Sequence, residues 1–317
     1  MKKTNVYVII VTYNAMKWID KCLNSLSSST INSIPVIIDN NSKDDTVNYL
    51  KTNYPGVHVI ENKENRGFGQ ANNQGIEYAY VHGASHFFLL NQDAWVEPDA
   101  IEKLIYIQDS YDFAIVSPIH MNGNGNLMDY SFFYKIVIDE INREYVSDLC
   151  NGTLKAYYKA EKINAAAWLL SRRTIDTLGG FDPAFFHYGE DGNYCQRVKY
   201  HGEEIVFVPN SFIHHDRERQ GNIQVYNKNS TLMALMYEYS DINKKLIQPS
   251  LSRLSLHLYN LKCLLGYLLK GKMDKCSNIL NSYAIFIKKI PQMRHNMKTN
   301  KSKGALWLDI NKYDLNR

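Results

Sequence analysis

The sequence predicts an α/β protein: a mostly parallel sheet with helices on both faces, followed by a C-terminal helical extension. Three observations carry this reading. Short β-branched runs alternate with helical stretches as far as residue 118, and such alternation builds parallel sheets through right-handed crossovers. The first run, VYVIIV at 6–11, is apolar without a break, as suits a strand buried on both faces. Beyond Tyr226 the pattern turns helical and leucine-rich.

The elements follow in order. After the first strand, WIDKCLNSL (18–26) has helical spacing at Trp18, Ile19, Cys22, Leu23 and Leu26. Strands are predicted at 35–39, 57–61, 86–91 and 113–118, and helices at 44–53, 70–83 and 98–109. From Ile119 to Lys162 the pattern loosens into an aromatic, turn-rich stretch, read as an insertion or a mixed β segment. INAAAWLLSRR (163–173) returns to strand character, and a short helix closed by Gly179 and Gly180 follows. EIVFVPNSFIHHD (204–216) is another strand, running into a His-His-Asp. In the extension, Leu251, Leu254, Leu258, Leu261, Leu265 and Leu268 alternate steps of three and four. Ile279, Leu280, Tyr283, Phe286, Ile287 and Ile290 form a second stripe. Both stripes are expected to pack on the rest of the chain or on each other.

Composition narrows the class. With 45% hydrophobic and 21% charged residues the chain is globular, not disordered. The net charge of +4 conceals an acidic body and a basic tail. Residues 241–317 hold 15 Lys and Arg against 4 Asp and Glu. Such a tail is expected to meet an anionic membrane surface, as a peripheral contact, or a second copy in a homodimer; no nucleic acid partner is expected. The five cysteines are scattered and form no Cys-x-x-Cys pair, which excludes a disulfide framework and a zinc site of that type and suits the cytoplasm. The opening apolar run stops at Thr12, too short for a signal core.

The polar residues fall where the predicted strands end: Thr12-Tyr13-Asn14, Asp39 to Ser42, Asn62 to Arg66, and Asn91-Gln92-Asp93. Ligands of open parallel sheets bind beyond those carboxyl ends. Gly67 and Gly69 would admit close backbone approach. No Gly-x-Gly-x-x-Gly follows the first strand and no Gly-Lys-Ser/Thr occurs, which argues against dinucleotide and P-loop sites. Asp39 reads equally as a ligand to a nucleotide base or as an Asx-turn with Ser42. In FHYGEDGNYCQRV (186–198), Asp191 reads either as the cap of a helix from Asn193 to Tyr200 or as a base.

Six stretches in this order, VTYN (11–14), IIDNNSKDDT (37–46), NRGFGQANNQGI (65–76), LLNQDAWVEP (89–98), GGFDPAFFHYGEDGNYCQRVKYHG (179–202) and VPNSFIHHD (208–216), resemble the family 2 glycosyltransferases. The likeness covers roughly Asn5 to Asp216, and its bacterial polysaccharide branch, with many rhamnosyltransferases, is the most similar. The resemblance implies the GT-A fold, a Rossmann-like sheet, and an inverting transfer from a nucleotide-diphosphate sugar to a saccharide or lipid-linked acceptor. It implies a catalytic domain at 1–225, with a nucleotide-sugar half (1–118) and an acceptor half (119–225), and leaves 226–317 as the basic extension. Asp191 becomes the general base and Glu190 its neighbour in positioning the acceptor. Thr12, Tyr13, Asn14, Asp39, Asn41, Asn65, Arg66, Gly67, Asn72, Asn91, Gln92 and Trp168 become the donor-binding set. Asp93 and His215 are implied to hold Mg²⁺ or Mn²⁺, with His214 the rival by one position. The family's Asp-x-Asp reads Asn91-Gln92-Asp93 here, one carboxylate short. The donor is dTDP-rhamnose or, alternatively, a UDP-hexose. A non-catalytic sugar-nucleotide binder would need only the first half.

Overall fold

The computed structural model describes residues 4–136, 142–217, 230–244 and 250–312; Arg219, which follows the His-His-Asp in the sequence, lies outside them. Four parallel strands form one side of the sheet: β3 (His58–Glu61), β2 (Ser33–Asp39), β1 (Val6–Thr12) and β4 (His86–Asn91), in that spatial order. The sheet continues through β8 (Ala167–Ser171), β6 (Ile115–Asn122) and β9 (Ile205–His215) to β5 (Ala94–Val96), and β7 (Tyr158–Ala160) also pairs with β9. β8 runs antiparallel between β4 and β6. β5 runs antiparallel to β9, with Ala94 opposite His215.

Helices cover both faces. Along β1 the side chains alternate, Ile9 facing one apolar cluster and Val8 and Ile10 the other. α3 (Phe68–Val81) packs on the Ile9 face and α1 (Ile19–Ser27) and α4 (Ala100–Tyr111) on the opposite one. α2 (Thr46–Asn53) connects β2 to β3. The segment read as an insertion or mixed β begins with the end of β6, which runs to Asn122, and then holds two helices, α5 (Tyr130–Ile136) and α6 (Arg143–Asn151), and the three-residue β7. Its aromatics explain why: Phe132, Tyr145 and Tyr158 pack on Phe207 of β9, so burial and not strand periodicity organises the stretch.

α7 (Arg172–Leu178) follows β8, capped by Ser171, and α8 (Glu190–Tyr200) carries the Glu-Asp pair. Tyr194, Cys195 and Val198 face inward. The extension contains α9 (Ser230–Ser240), α10 (Leu251–Leu269) and α11 (Met273–Asn300). α9 and α11 share an apolar cluster with Ala184 and Phe185. The carboxylate of Asp182 accepts from Asn296 Nδ2 (2.5 Å) and Asn300 Nδ2 (2.7 Å) of α11. Of the second apolar stripe, Ile279 and Phe286 are buried and Leu280 and Ile287 exposed. The first stripe does not pack: its six leucines are 45–87% exposed. Periodicity defines a face but not what covers it, and the inward face of α10 is taken by Arg253, Leu256, His257 and Asn260.

Candidate active site

The ends of β1, β2 and β4 converge on a cleft of about 420 Å³, walled in part by Tyr13, Asn65, Gly67, Gln92, Asp93 and Phe186. Its floor is a web of amides. Asn40, buried at the end of β2, donates from Nδ2 to Asn65 Oδ1 (2.9 Å) and to the Gly67 carbonyl (3.2 Å). Its Oδ1 accepts from the Arg66 N–H (2.9 Å) and Asn62 Nδ2 (3.3 Å). One side chain thus shapes the whole Asn65-Arg66-Gly67 turn. Tyr13 and Gln92 clamp the loops after β1 and β4: the Tyr13 N–H donates to Gln92 Oε1 (2.7 Å), and Gln92 Nε2 to the Tyr13 carbonyl (3.2 Å).

The Asx-turn reading of Asp39 is observed. Its buried carboxylate accepts from the Ser42 N–H (2.9 Å) and Oγ (2.5 Å), and from Thr12 Oγ1 (3.0 Å). A nucleotide base meeting Asp39 would share acceptors already in use. Asn14 and Asn41 both adopt left-handed backbone, at φ 54° and 70°, and brace this loop through Lys43. Arg66 is exposed at the rim. Asn72 is buried and turns back to the Phe68 carbonyl. Trp168 is not brought to the cleft. It sits fully buried on the central strand β8, among Phe181 and Tyr194, because its face of the sheet lies under α8.

Asp93 meets the end of β9. His215 Nε2 lies 3.3 Å from Asp93 Oδ1, and the Asp216 N–H donates to the Asp93 carbonyl (2.8 Å). Strand alternation sends His214 the other way, to stack on Trp95 and pair with Glu97 Oε1 at 2.5 Å. The His215 ring is held from behind: Nδ1 accepts from Arg217 Nε (3.3 Å) and lies 3.8 Å from Asp129 Oδ2. Among the described residues no three His, Cys, Asp or Glu side chains cluster with metal-binding spacing. Asp93 and His215 converge, however, and the buried Oδ1 of Asn91 beside them has no hydrogen-bond partner. Mg²⁺ and Mn²⁺ take oxygen-rich shells with few protein ligands, completed by phosphate and water. The three side chains fit such an ion as a partial shell.

The loop carrying the Glu-Asp pair docks on the start of α3. The Phe68 N–H donates to the Phe186 carbonyl (3.1 Å), and a Cβ on Gly67 would stand 1.8 Å from that oxygen. Gly67 takes φ 78°, while Tyr188 and Gly189 follow one another in left-handed backbone at 66° and 92°. A bulky residue in that region is rare and such strain concentrates at functional sites. The helix begins at Glu190, not Asn193, and Gly189 is its N-cap residue. Asp191 is therefore no cap; it lies in the first turn, partly exposed, its Oδ1 accepting from the Gly192 N–H (2.7 Å). Glu190 is buried, packed near Gly69. Neither carboxylate lines the cleft itself; Phe186 and His187 of the same loop do.

Sequence reasoning passed over Asn40, Trp18, Asp129, Phe186 and His187. Asn40 stood beside Asp39 in a noted cluster, and Phe186 and His187 lay inside a quoted stretch, so a signal existed. Trp18 was read as helix core, yet its Nε1 donates to Asp216 Oδ2 (3.0 Å), joining the β1 and β9 ends. Asp129 sits in a turn-rich stretch with no periodicity to mark it.

Comparison with known proteins bears on the family and the fold. Residues 7–164 match the family model described as Glycosyl transferase family 2. The dTDP-rhamnosyl transferase RfbF of Shigella flexneri is 24% identical over 208 residues, covering 65% of this chain and 67% of that protein. The low-salt glycan biosynthesis hexosyltransferase Agl10 of Haloferax volcanii is 22% identical over 199 residues, covering 61% of each. The chain thus spans about two thirds of the length of these relatives. Among solved structures, S. aureus TarS 1-349 in complex with UDP-GlcNAc superimposes with a TM-score of 0.57 at 13% identity, over 94% of this chain and 88% of that one. The architecture is that of the GT-A glycosyltransferases, and residues 7–164 form a domain that matches glycosyl transferase family 2.

Proposed function

We propose that this protein is an inverting glycosyltransferase that moves a sugar from a nucleotide-diphosphate donor to a hydroxyl of a saccharide or lipid-linked acceptor, in bacterial surface polysaccharide synthesis. The observation that carries the reading is the seating of the Phe186–Asp191 loop on Gly67, at the edge of a cleft that Asp93 also lines, with His215 3.3 Å from the Asp93 carboxylate. Transfer with inversion needs a base on one side of the anomeric carbon and charge stabilisation on the other, and this arrangement supplies a candidate for each. dTDP-rhamnose is the favoured donor because RfbF is named for it, with a UDP-hexose as the alternative.

In this reading the donor lies across the amide web of Asn40 and Asn65, with Tyr13 and Gln92 fixing its orientation. Asp191 takes the proton from the acceptor hydroxyl as it attacks, since an alcohol is a weak nucleophile until a positioned base relieves it of that proton. Glu190, buried beside it, positions the first turn of α8. Asp93, Asn91 and His215 would hold Mg²⁺ or Mn²⁺, which supplies charge neutralisation for the departing diphosphate. Arg217, in contact with His215, adds a fixed positive charge close by.

The test is Asp191→Asn, assayed against a panel of nucleotide sugars with saccharide and lipid-linked acceptors. Transfer should fall by ~10²–10⁴-fold while donor affinity and the unfolding midpoint stay near wild type. Near-normal turnover would refute the assignment of Asp191. Donor binding without transfer to any acceptor by the wild type would favour a non-catalytic sugar-nucleotide binder.

A further inference from the structure

We propose that α10 is an interfacial helix that seats the protein on the surface of an anionic lipid membrane. The helix is amphipathic in the inverted sense. An ordinary surface helix turns its apolar stripe toward the core. Here Leu251, Leu254, Leu258, Leu261, Leu265 and Leu268 all face outward, and Leu269 is 90% exposed. The inward side is polar and tied down: Arg253 is buried with its guanidinium 4.7 Å over the Tyr239 ring, His257 bonds Tyr239 and Tyr283, and Asn260 donates to Tyr283 (3.3 Å). These bonds fix the rotation of the helix about its axis, so the leucine face is held out and cannot roll inward.

The stripe runs about 26 Å along the helix, at 1.5 Å per residue. Exposed Met273, Leu280 and Ile287 of α11 add to the apolar surface. Among the described residues no helix is long and apolar enough to cross a bilayer, so the geometry suits a helix lying in the headgroup plane.

Charge selects the occupant. Residues 251–269 contain no Asp or Glu, and 251–303 contain eleven Lys and Arg against the single Asp274. Lys262, Lys270 and Lys272 are exposed beside the leucines. A second copy docked through the same seam would need acidic flanking residues to pair with these lysines, and α10 offers none. An anionic bilayer supplies both the apolar phase and the opposite charge. The inference stands independently of the transferase reading.

The test uses the full chain and large unilamellar vesicles of phosphatidylglycerol and phosphatidylcholine (1:1), with pure phosphatidylcholine as control, read by co-sedimentation. Binding should require the anionic lipid and weaken with salt. The exposed triple variant L258Q/L261Q/L265Q should keep its unfolding midpoint and lose about tenfold or more in partitioning. K270Q and K272Q should lose about fivefold each. Sedimentation equilibrium without vesicles should show no leucine-dependent self-association. Absence of binding at low salt, or wild-type binding by the leucine variant, would overturn the proposal. So would a leucine-dependent dimer that does not bind vesicles, which would make a second copy the occupant.

Discussion

Gly67→Ala is the sharpest test of how the site is built. A Cβ at Gly67 meets the Phe186 carbonyl oxygen at 1.8 Å and its carbon at 2.7 Å, and both belong to backbone that no rotamer change can move. Opening the oxygen contact merely to 3.0 Å shifts the loop by more than an ångström. The substitution also forces alanine to φ 78° and breaks the bond from the Phe68 N–H. Left-handed backbone costs roughly 1–2 kcal/mol and a lost hydrogen bond about 0.5–1.5, so about 2–3 kcal/mol of destabilisation is expected. The functional loss should exceed the stability loss, because an ångström of misplacement at a reacting site costs about 10²-fold in rate. Gly56→Ala is the matched control, since nothing lies within 4 Å of its Cβ and its φ is not left-handed. Urea unfolding and transfer assays on the two variants decide. Equal midpoints and equal activity would refute the claim that the Phe186–Asp191 loop is registered on Gly67.

Asp93→Ala should abolish the part of donor affinity that depends on Mg²⁺ or Mn²⁺, so that titration calorimetry finds wild type in chelator and mutant with metal alike; an unchanged metal response in the mutant would remove Asp93 from the metal-binding role. Asn40→Ala leaves the Arg66 N–H and Asn65 without their buried partner and should cost about 1–3 kcal/mol in urea unfolding, with weaker donor binding; wild-type values for both would mean that the turn holds itself. Burial pushes the Glu238 carboxyl up, but Lys244, Ser252 and Arg253 outweigh it and hold it below its usual range. A depressed carboxylate contributes stability at higher pH and loses it as pH falls through the folded value. The wild-type unfolding midpoint should therefore drop below about pH 4.5, and Glu238→Gln should flatten that drop; parallel curves would show that Glu238 is not the sensitive group.

What the sequence made legible was local and periodic. The uninterrupted apolar runs gave β1, β2 and β4, because strands covered on both faces admit few polar residues. The polar clusters after them marked the edge where the cleft lies. Strand direction left no such trace: β8 reads like its neighbours, yet runs antiparallel and takes Trp168 into the core. A tryptophan serves equally as a stacking platform or as core, and only its position in the sheet separates the two. Asp129 and Trp18 reach the site through contacts across 86 and 198 residues of chain, which no local pattern encodes. The α10 stripe is the converse case, where the pattern gave the helix but the leucines do not pack on the chain as expected.

The site loop is held from two sides by very different parts of the chain. Its upper edge rests on Gly67 and Gly69 of the first half. Its lower edge belongs to the extension: Ala184 and Phe185 pack with Leu235, Met236, Phe286 and Met293, and Asp182 is held by two asparagines of α11. The end of the chain then returns to the same region, where the Gly180 N–H donates to the Leu306 carbonyl (2.8 Å) and the Asp309 N–H to Glu77 of α3 (2.9 Å). Asn73 joins both, donating to the Phe181 and Trp307 carbonyls. A left-handed Tyr188 persists only where its surroundings over-determine it, and these contacts provide that constraint. The helices that carry the outward leucine face are thus bonded to the loop that carries Asp191. Whatever α10 docks on is therefore linked by direct contacts, through α11 and Asp182, to the loop that carries the candidate base.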